Sequence, residues 1–162
     1  MKPRIVTIGV YGTDEAGFFQ ALTAAKVDTF CDIRLRRGVR GSTYAFVNSK
    51  RLQKKLAEMG IRYRHVKELA PSQAVRDKQK EEDKKIGVAK RSREQLGNAF
   101  VEAYEATCLI EFDSGQFIQG LGPDAEVVAF FCVEREPEAC HRSLVARRLH
   151  HFLGLDVEHL RP

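Results

Sequence analysis

The chain has 162 residues, 43% of them hydrophobic, which suits one domain over 1–162 with a real core and leaves little for a second. No run approaches the roughly 18 consecutive apolar residues of a membrane span, and MKPRIVTIGV enters a strand pattern without a secretory cleavage site, so a cytoplasmic location and no membrane partner are expected. A formal charge of +5 favours a phosphate-bearing partner, and four scattered cysteines, Cys31, Cys108, Cys132 and Cys140, without CxxC spacing, exclude a disulfide scaffold and a zinc knuckle.

Residues 4–9 are β-branched and run into Gly9 and Gly12, the signature of a buried strand entering a turn. Asp14 is placed to cap a helix that carries Phe18, Leu22 and Ala25 on one face, and 27–33 returns to strand composition. After a loop over 34–42, a helix from about Ser49 carries Leu52, Leu56 and Met59 on one stripe and stops at Gly60, followed by a strand over 61–66. From 70 to 93 both charge signs are dense and large apolar residues scarce, as in a solvated helical excursion or a flap that closes over a ligand. The spacing of Leu96, Phe100 and Tyr104 predicts a helix over 93–108, and 112–123 reads as a loop or short broken helix. The most apolar run, 127–133, reads as a central strand. Pro137 suits the first turn of a helix with Val145, Leu149 and Phe152 on its core stripe, closed by Gly154, with a short strand near 156–160. This alternation specifies a three-layer α/β fold: a mostly parallel sheet of about five strands, helices on both faces, and functional groups at the carboxyl ends of the strands.

Two stretches concentrate chemistry there. The segment CVEREPEACHR, 132–142, puts Cys140, His141 and Arg142 in the first turns of the last helix, where unpaired backbone N–H groups and the helix dipole favour an anion. His141 lies four residues before Val145 on the core stripe and so faces the sheet's carboxyl edge. A thiol at a helix start beside a histidine and an arginine is a candidate nucleophile; the plainer alternative is a small buried cysteine and a histidine bonding a loop. The other stretch is the loop after Asp32, in which Arg34, Arg36, Arg37, Gly38, Arg40, Gly41 and Ser42 form an anion clamp with Arg142, or else a solvated basic loop. It lacks the spacing of a Walker loop. Asp32 and Glu134 each close a strand and serve as an acid–base pair, as ligands of a divalent ion, or as partners of Arg34 and Arg142. Cys132, Cys140, His141 and a carboxylate do not have a recognised zinc spacing, so no metal site is assigned. Tyr11 and Tyr44 are candidates to stack on a base or sugar, with Tyr63 and His65 behind them.

At these residues the chain resembles the bacterial domain-of-unknown-function 488 family, DUF488. The resemblance rests on Thr7-Ile8-Gly9, Asp32-Ile33-Arg34, Gly60-Ile61-Arg62-Tyr63 and, most specifically, Cys132 with Glu134, Pro137 and Cys140-His141-Arg142. Many members carry a His-Ser pair after the first motif and a Leu-Gly-Gly after the third strand. This chain has Val10-Tyr11-Gly12 and Glu68-Leu69-Ala70-Pro71 there, and an RRGVRGS loop over 36–42 marks it as a subgroup. The resemblance implies an α/β fold and a shared site, and supplies no reaction or cofactor. The residues themselves point to an enzyme acting on a phosphate-bearing ligand, a nucleotide or nucleic acid, through Cys140 or His141. The alternatives are a non-catalytic module that binds nucleic acid or an acidic partner, and a thiol redox sensor using Cys132 and Cys140. The oligomeric state is not legible.

Overall fold

The strands alternate with helices as the pattern requires in the structure, a computed structural model that describes residues 2–89 and 93–162. The end of the charged stretch, 90–92, lies outside the described residues. The strands are β1 (Arg4–Ile8), β2 (Thr29–Asp32), β3 (Arg62–His65), β4 (Val127–Phe131) and β5 (Val157–His159). They form a sheet of order β3-β2-β4-β1-β5 in which every pairing is parallel. The apolar run 127–133 is therefore the middle strand, as its composition implied.

The chain runs from β1 through α1 (Glu15–Ala24) to β2 and through α2 (Ser49–Glu58) to the edge strand β3. It returns through α3 (Gln73–Ile86), α4 (Asn98–Tyr104) and α5 (Ser114–Gly120) to β4, and α6 (His141–Leu153) leads to β5 on the far edge. Right-handed crossovers put outgoing and returning helices on opposite faces. Neighbouring side chains of β4 show this directly, because successive strand residues point to opposite sides. Phe131 packs on Phe18 of α1 with ring centroids 5.5 Å apart, and Phe130 packs on Phe117 of α5 at 5.8 Å. Since β2 continues to one face and β4 to the other, a crevice opens beyond their carboxyl ends.

Local chemistry sets several boundaries. The Asp14 carboxylate accepts from the backbone N–H of Gly17 at 2.7 Å and caps α1, while Gly60 ends α2 at a φ of +72° that a side chain would disfavour. α3 is strongly charged, yet Val75, Gln79 and Asp83, four residues apart, form a buried row along it.

Two boundaries and one core position differ from the sequence reading. Pro137 starts a separate tight turn, Pro137–Ala139, and α6 begins only at His141, with Cys140 in an extended conformation as its N-cap residue. The spacing-based helix over 93–108 starts later, at Asn98, and continues past α4 in a widened π-helical form, Glu105–Leu109, in which Ile110 N donates to Glu105 O at 2.9 Å. Phe152 is not in the core: it is 59% exposed and lies under the Arg148 guanidinium at 4.9 Å. Leu153, four residues after Leu149, takes the inward place instead.

Gly9, just past β1, has backbone crowding that only a missing side chain allows, since an added Cβ would run into the backbone carbonyl oxygen of Glu134. That carbonyl also accepts from Arg142 Nη1 at 2.6 Å. Gly9→Ala is expected to cost roughly 1–3 kcal/mol of stability through overpacking, read as a lower urea midpoint; an unchanged midpoint would show that this approach is not tight.

Candidate functional site

The segment after β4 is held from both sides. Val10 and Tyr11, in the turn after β1, both donate their backbone N–H to Val133 O, at 3.1 and 3.0 Å. Arg142, fully buried, reaches back to donate to Glu134 O at 2.6 Å and to Arg135 O at 3.2 Å. Sequence spacing puts Arg142 in an anion clamp; in the structure it braces the backbone and does not line the cavity described below. The tight turn at Pro137–Ala139 then returns the chain so that Cys140 comes beside Cys132.

The two sulfurs and a ring nitrogen of His141 lie within 4.8 Å of one another. His141 Nδ1 is 3.8 Å from Cys140 Sγ, and its Nε2 is 2.8 Å from Ile33 O. A carbonyl only accepts, so Nε2 carries a proton and Nδ1 is turned toward the thiol. The Tyr104 ring, 5.4 Å away, packs against the imidazole. Burial pushes the Cys140 thiol up, but the Cys132 hydrogen bond and the positive charges of Arg142 and His141 outweigh it and hold it well below the ordinary thiol range. Burial pulls the His141 imidazole down, and the neighbouring Cys140 reverses this and raises it. Both shifts run in the direction that favours a thiolate beside an imidazolium. At Cys31 burial prevails over the nearby Arg64 and Arg62 charges, and the thiol is pushed up to about 12.

A buried polar chain forms one wall. Glu134 Oε1 meets Arg93 Nη2 at 2.8 Å, and Arg93 Nη1 meets Asp83 Oδ2 at 2.8 Å. Gln79 donates to Asp83 Oδ1 at 2.8 Å and accepts from Gly97 N at 2.8 Å, which ties α3 to the start of α4. The carboxylate of Glu134 thus pairs with Arg93 and not with Arg142.

The loop after β2 forms the opposite wall. Asp32, fully buried, holds Arg34 in a fork, Nε to Oδ1 at 2.8 Å and Nη2 to Oδ2 at 2.7 Å, and also accepts from the Tyr63 hydroxyl at 2.7 Å. Arg34 lines the cavity, and its buried Nη1 has no hydrogen-bond partner among the described residues.

Between these walls lies a cavity of about 500 Å³ at the carboxyl ends of β2 and β4, floored by Cys132, Cys140 and His141. The candidates Glu134, Arg34, Arg36, Gly38, Arg40 and Tyr11 also line it. Other candidates stand elsewhere. Asp32 sits behind Arg34; Arg37 reaches the Tyr63 hydroxyl at 3.4 Å; Gly41 and Ser42 are exposed outside the cavity; the Tyr44 hydroxyl accepts from Gly12 N at 2.9 Å, with its ring 5.2 Å from that of Tyr11. Sequence reasoning missed the contribution of α3 and its sequel, Arg76, Gln79, Lys80, Asp83, Arg93 and Phe100. The signal was the four-residue row through Val75, Gln79 and Asp83, hidden because two of the three are polar.

Comparison with curated proteins and with solved structures gives no match. A family model described as a domain of unknown function, DUF488, matches residues 16–149, from α1 into α6, and so takes in every cavity residue named above except Tyr11. The chain therefore belongs to the DUF488 family.

Proposed function

We propose that the protein is an enzyme acting on a phosphate-bearing ligand, a nucleotide or nucleic acid, with Cys140 as nucleophile and His141 as its proton partner. The observation that carries this reading is the cysteine–histidine pair on the floor of a cavity whose rim holds Arg34, Arg36 and Arg40. Arg34 is pre-oriented by its fork to Asp32 and offers the unpartnered Nη1 to an anionic oxygen. Asp32 is thereby a positioning residue. Cys140 is 1% exposed, so only a group that enters the cavity reaches its sulfur.

In the reaction a bond forms from Cys140 Sγ to the ligand's electrophilic centre as the bond to the leaving group breaks, and the imidazolium of His141 gives the leaving group its proton. Water then releases the second product with the proton returning to His141. Glu134, fixed by Arg93, stands at the same wall.

The test is a panel of nucleoside monophosphates, nucleoside diphosphates and short oligonucleotides, followed for turnover by chromatography. The doubly substituted Arg36→Ala, Arg40→Ala protein is expected to raise KM about tenfold with kcat nearly unchanged, because both cations are exposed at the rim while Cys140 is buried at the floor. Oligonucleotide binding without turnover, indifferent to Cys140→Ser, would make the protein a binding module and overturn the enzymatic reading.

A further inference from the structure

We propose that Cys132, Cys140 and His141 form a three-ligand site for a soft divalent cation of the zinc class, and that this cation competes with the cavity's ligand for Cys140. The competition rests on the reading of Cys140 as the reacting group; the metal site does not.

Geometry is the first support. The three donor atoms already lie within 4.8 Å of one another. A tetrahedral centre with metal–sulfur bonds of about 2.3 Å and metal–nitrogen bonds of about 2.0 Å needs its ligand atoms roughly 3.3–3.8 Å apart. Cys140 Sγ and His141 Nδ1, 3.8 Å apart, are already at that spacing. Closing the shell asks for side-chain adjustments of about 1 Å at most.

Orientation is the second. A ligating histidine normally donates its other ring N–H to a carbonyl or carboxylate, which fixes the tautomer and aims the donor nitrogen. His141 Nε2 makes this bond to Ile33 O at 2.8 Å, leaving Nδ1 toward the sulfurs. The bond lies outside the three-atom cluster and has the form of an outer-shell support for a ligand.

Donor chemistry is the third. Two thiolates and one imidazole select zinc-like ions over magnesium and calcium, which prefer oxygen. Two thiolate charges also neutralise a divalent ion, so its burial adds no net charge to a floor whose three residues are 6%, 1% and 4% exposed. Among the described residues the cluster holds three ligands, the carboxylate of Glu134 on the same cavity wall is engaged by Arg93 at 2.8 Å, and a fourth ligand would come from the cavity that all three line. The thiolate is both the nucleophile and the metal ligand, and a bound cation draws off its negative charge and occupies its approach, so the sulfur is a poorer nucleophile while the metal is held.

The experiment uses the full-length, reduced, metal-stripped protein with cobalt(II) and then zinc as probes. The expected result is thiolate-to-cobalt charge-transfer absorption with intense tetrahedral d–d bands, both displaced by zinc and untouched by excess magnesium. Cys132→Ala and His141→Ala, checked for folding by circular dichroism, should each weaken zinc binding by roughly a hundredfold or more, while Cys31→Ser leaves it unchanged. Zinc should slow iodoacetamide alkylation of Cys140, and chelator should restore it. No charge-transfer band, or equal zinc affinity in Cys132→Ala, overturns the metal site even if turnover is found. Turnover that persists in Cys140→Ser removes the nucleophile and leaves the metal site standing. Turnover that requires zinc overturns the competition.

Discussion

Arg93→Leu is expected to destabilise the fold by about 3–5 kcal/mol, read as a large fall in the urea midpoint of unfolding. Arg93 is 8% exposed and bridges two carboxylates that are themselves buried, Asp83 and Glu134, each at 2.8 Å, while its Nε donates to Ala139 O at 3.2 Å. Losing the guanidinium takes the arginine partner from two buried carboxylates at once, and the cost of their desolvation exceeds anything a leucine gains by packing. Arg93→Lys should recover only part of the loss, because a single ammonium cannot span both carboxylates and the carbonyl in one fixed fork. Adding Glu134→Gln and Asp83→Asn to Arg93→Leu should restore stability more fully, since the penalty is buried charge and not lost volume. A midpoint within error of wild type for Arg93→Leu would mean that the bridge is solvated in solution and that α3 is not fastened through it to the segment after β4.

Cys140→Ser is expected to lower turnover by about a thousandfold or more while leaving the affinity for the phosphate-bearing ligand nearly intact. The hydroxyl is close to the thiol in size but is hardly ionised near neutral pH, so the arginine rim still binds and the attacking group is gone. Loss of fold does not confound this variant. Cys140 is the N-cap residue of α6, a position where serine is among the preferred residues, so the helix start gains a cap as the nucleophile disappears. His141→Ala should lower turnover by roughly a hundredfold to ten-thousandfold, the range for loss of a positioned proton partner. Cys140→Ser that keeps its turnover would move the chemistry to another residue of the cavity.

The fold was legible because each strand carries its own signal. The β-branched run Arg4–Ile8 and the apolar run Val127–Phe131 sit in the middle of the sheet, where both faces are covered and composition is least ambiguous. Strand order was not legible, since β4 inserts between β1 and β2 through contacts far apart in sequence. On the site, the two stretches that meet were visible from cysteine, histidine and arginine at strand ends, and DUF488 membership was visible from the same motifs. Individual roles were harder to read. Arg142 looked like a ligand-binding cation because its place at the helix start is favourable for an anion, yet both its Nη atoms donate to backbone carbonyls, and its buried Nε has no hydrogen-bond partner among the described residues. For Asp32 the sequence left acid–base work, metal ligation and pairing with Arg34 open, and its oxygens are engaged by Arg34 and Tyr63. The wall made by α3 was hidden in a highly charged sequence, because burial there is achieved by pairing Asp83 with Arg93 across ten residues and not by an apolar stripe.

The most direct test of a reactive cysteine inside a phosphate-binding cavity is the iodoacetamide modification rate of each thiol in the native protein, followed by mass spectrometry with and without a nucleoside monophosphate. Cys140 should react much faster than Cys31, whose thiol is raised to about 12, and the nucleotide should slow Cys140 alone. Equal, slow modification of Cys140 and Cys31, unaffected by any phosphate-bearing compound, would contradict it.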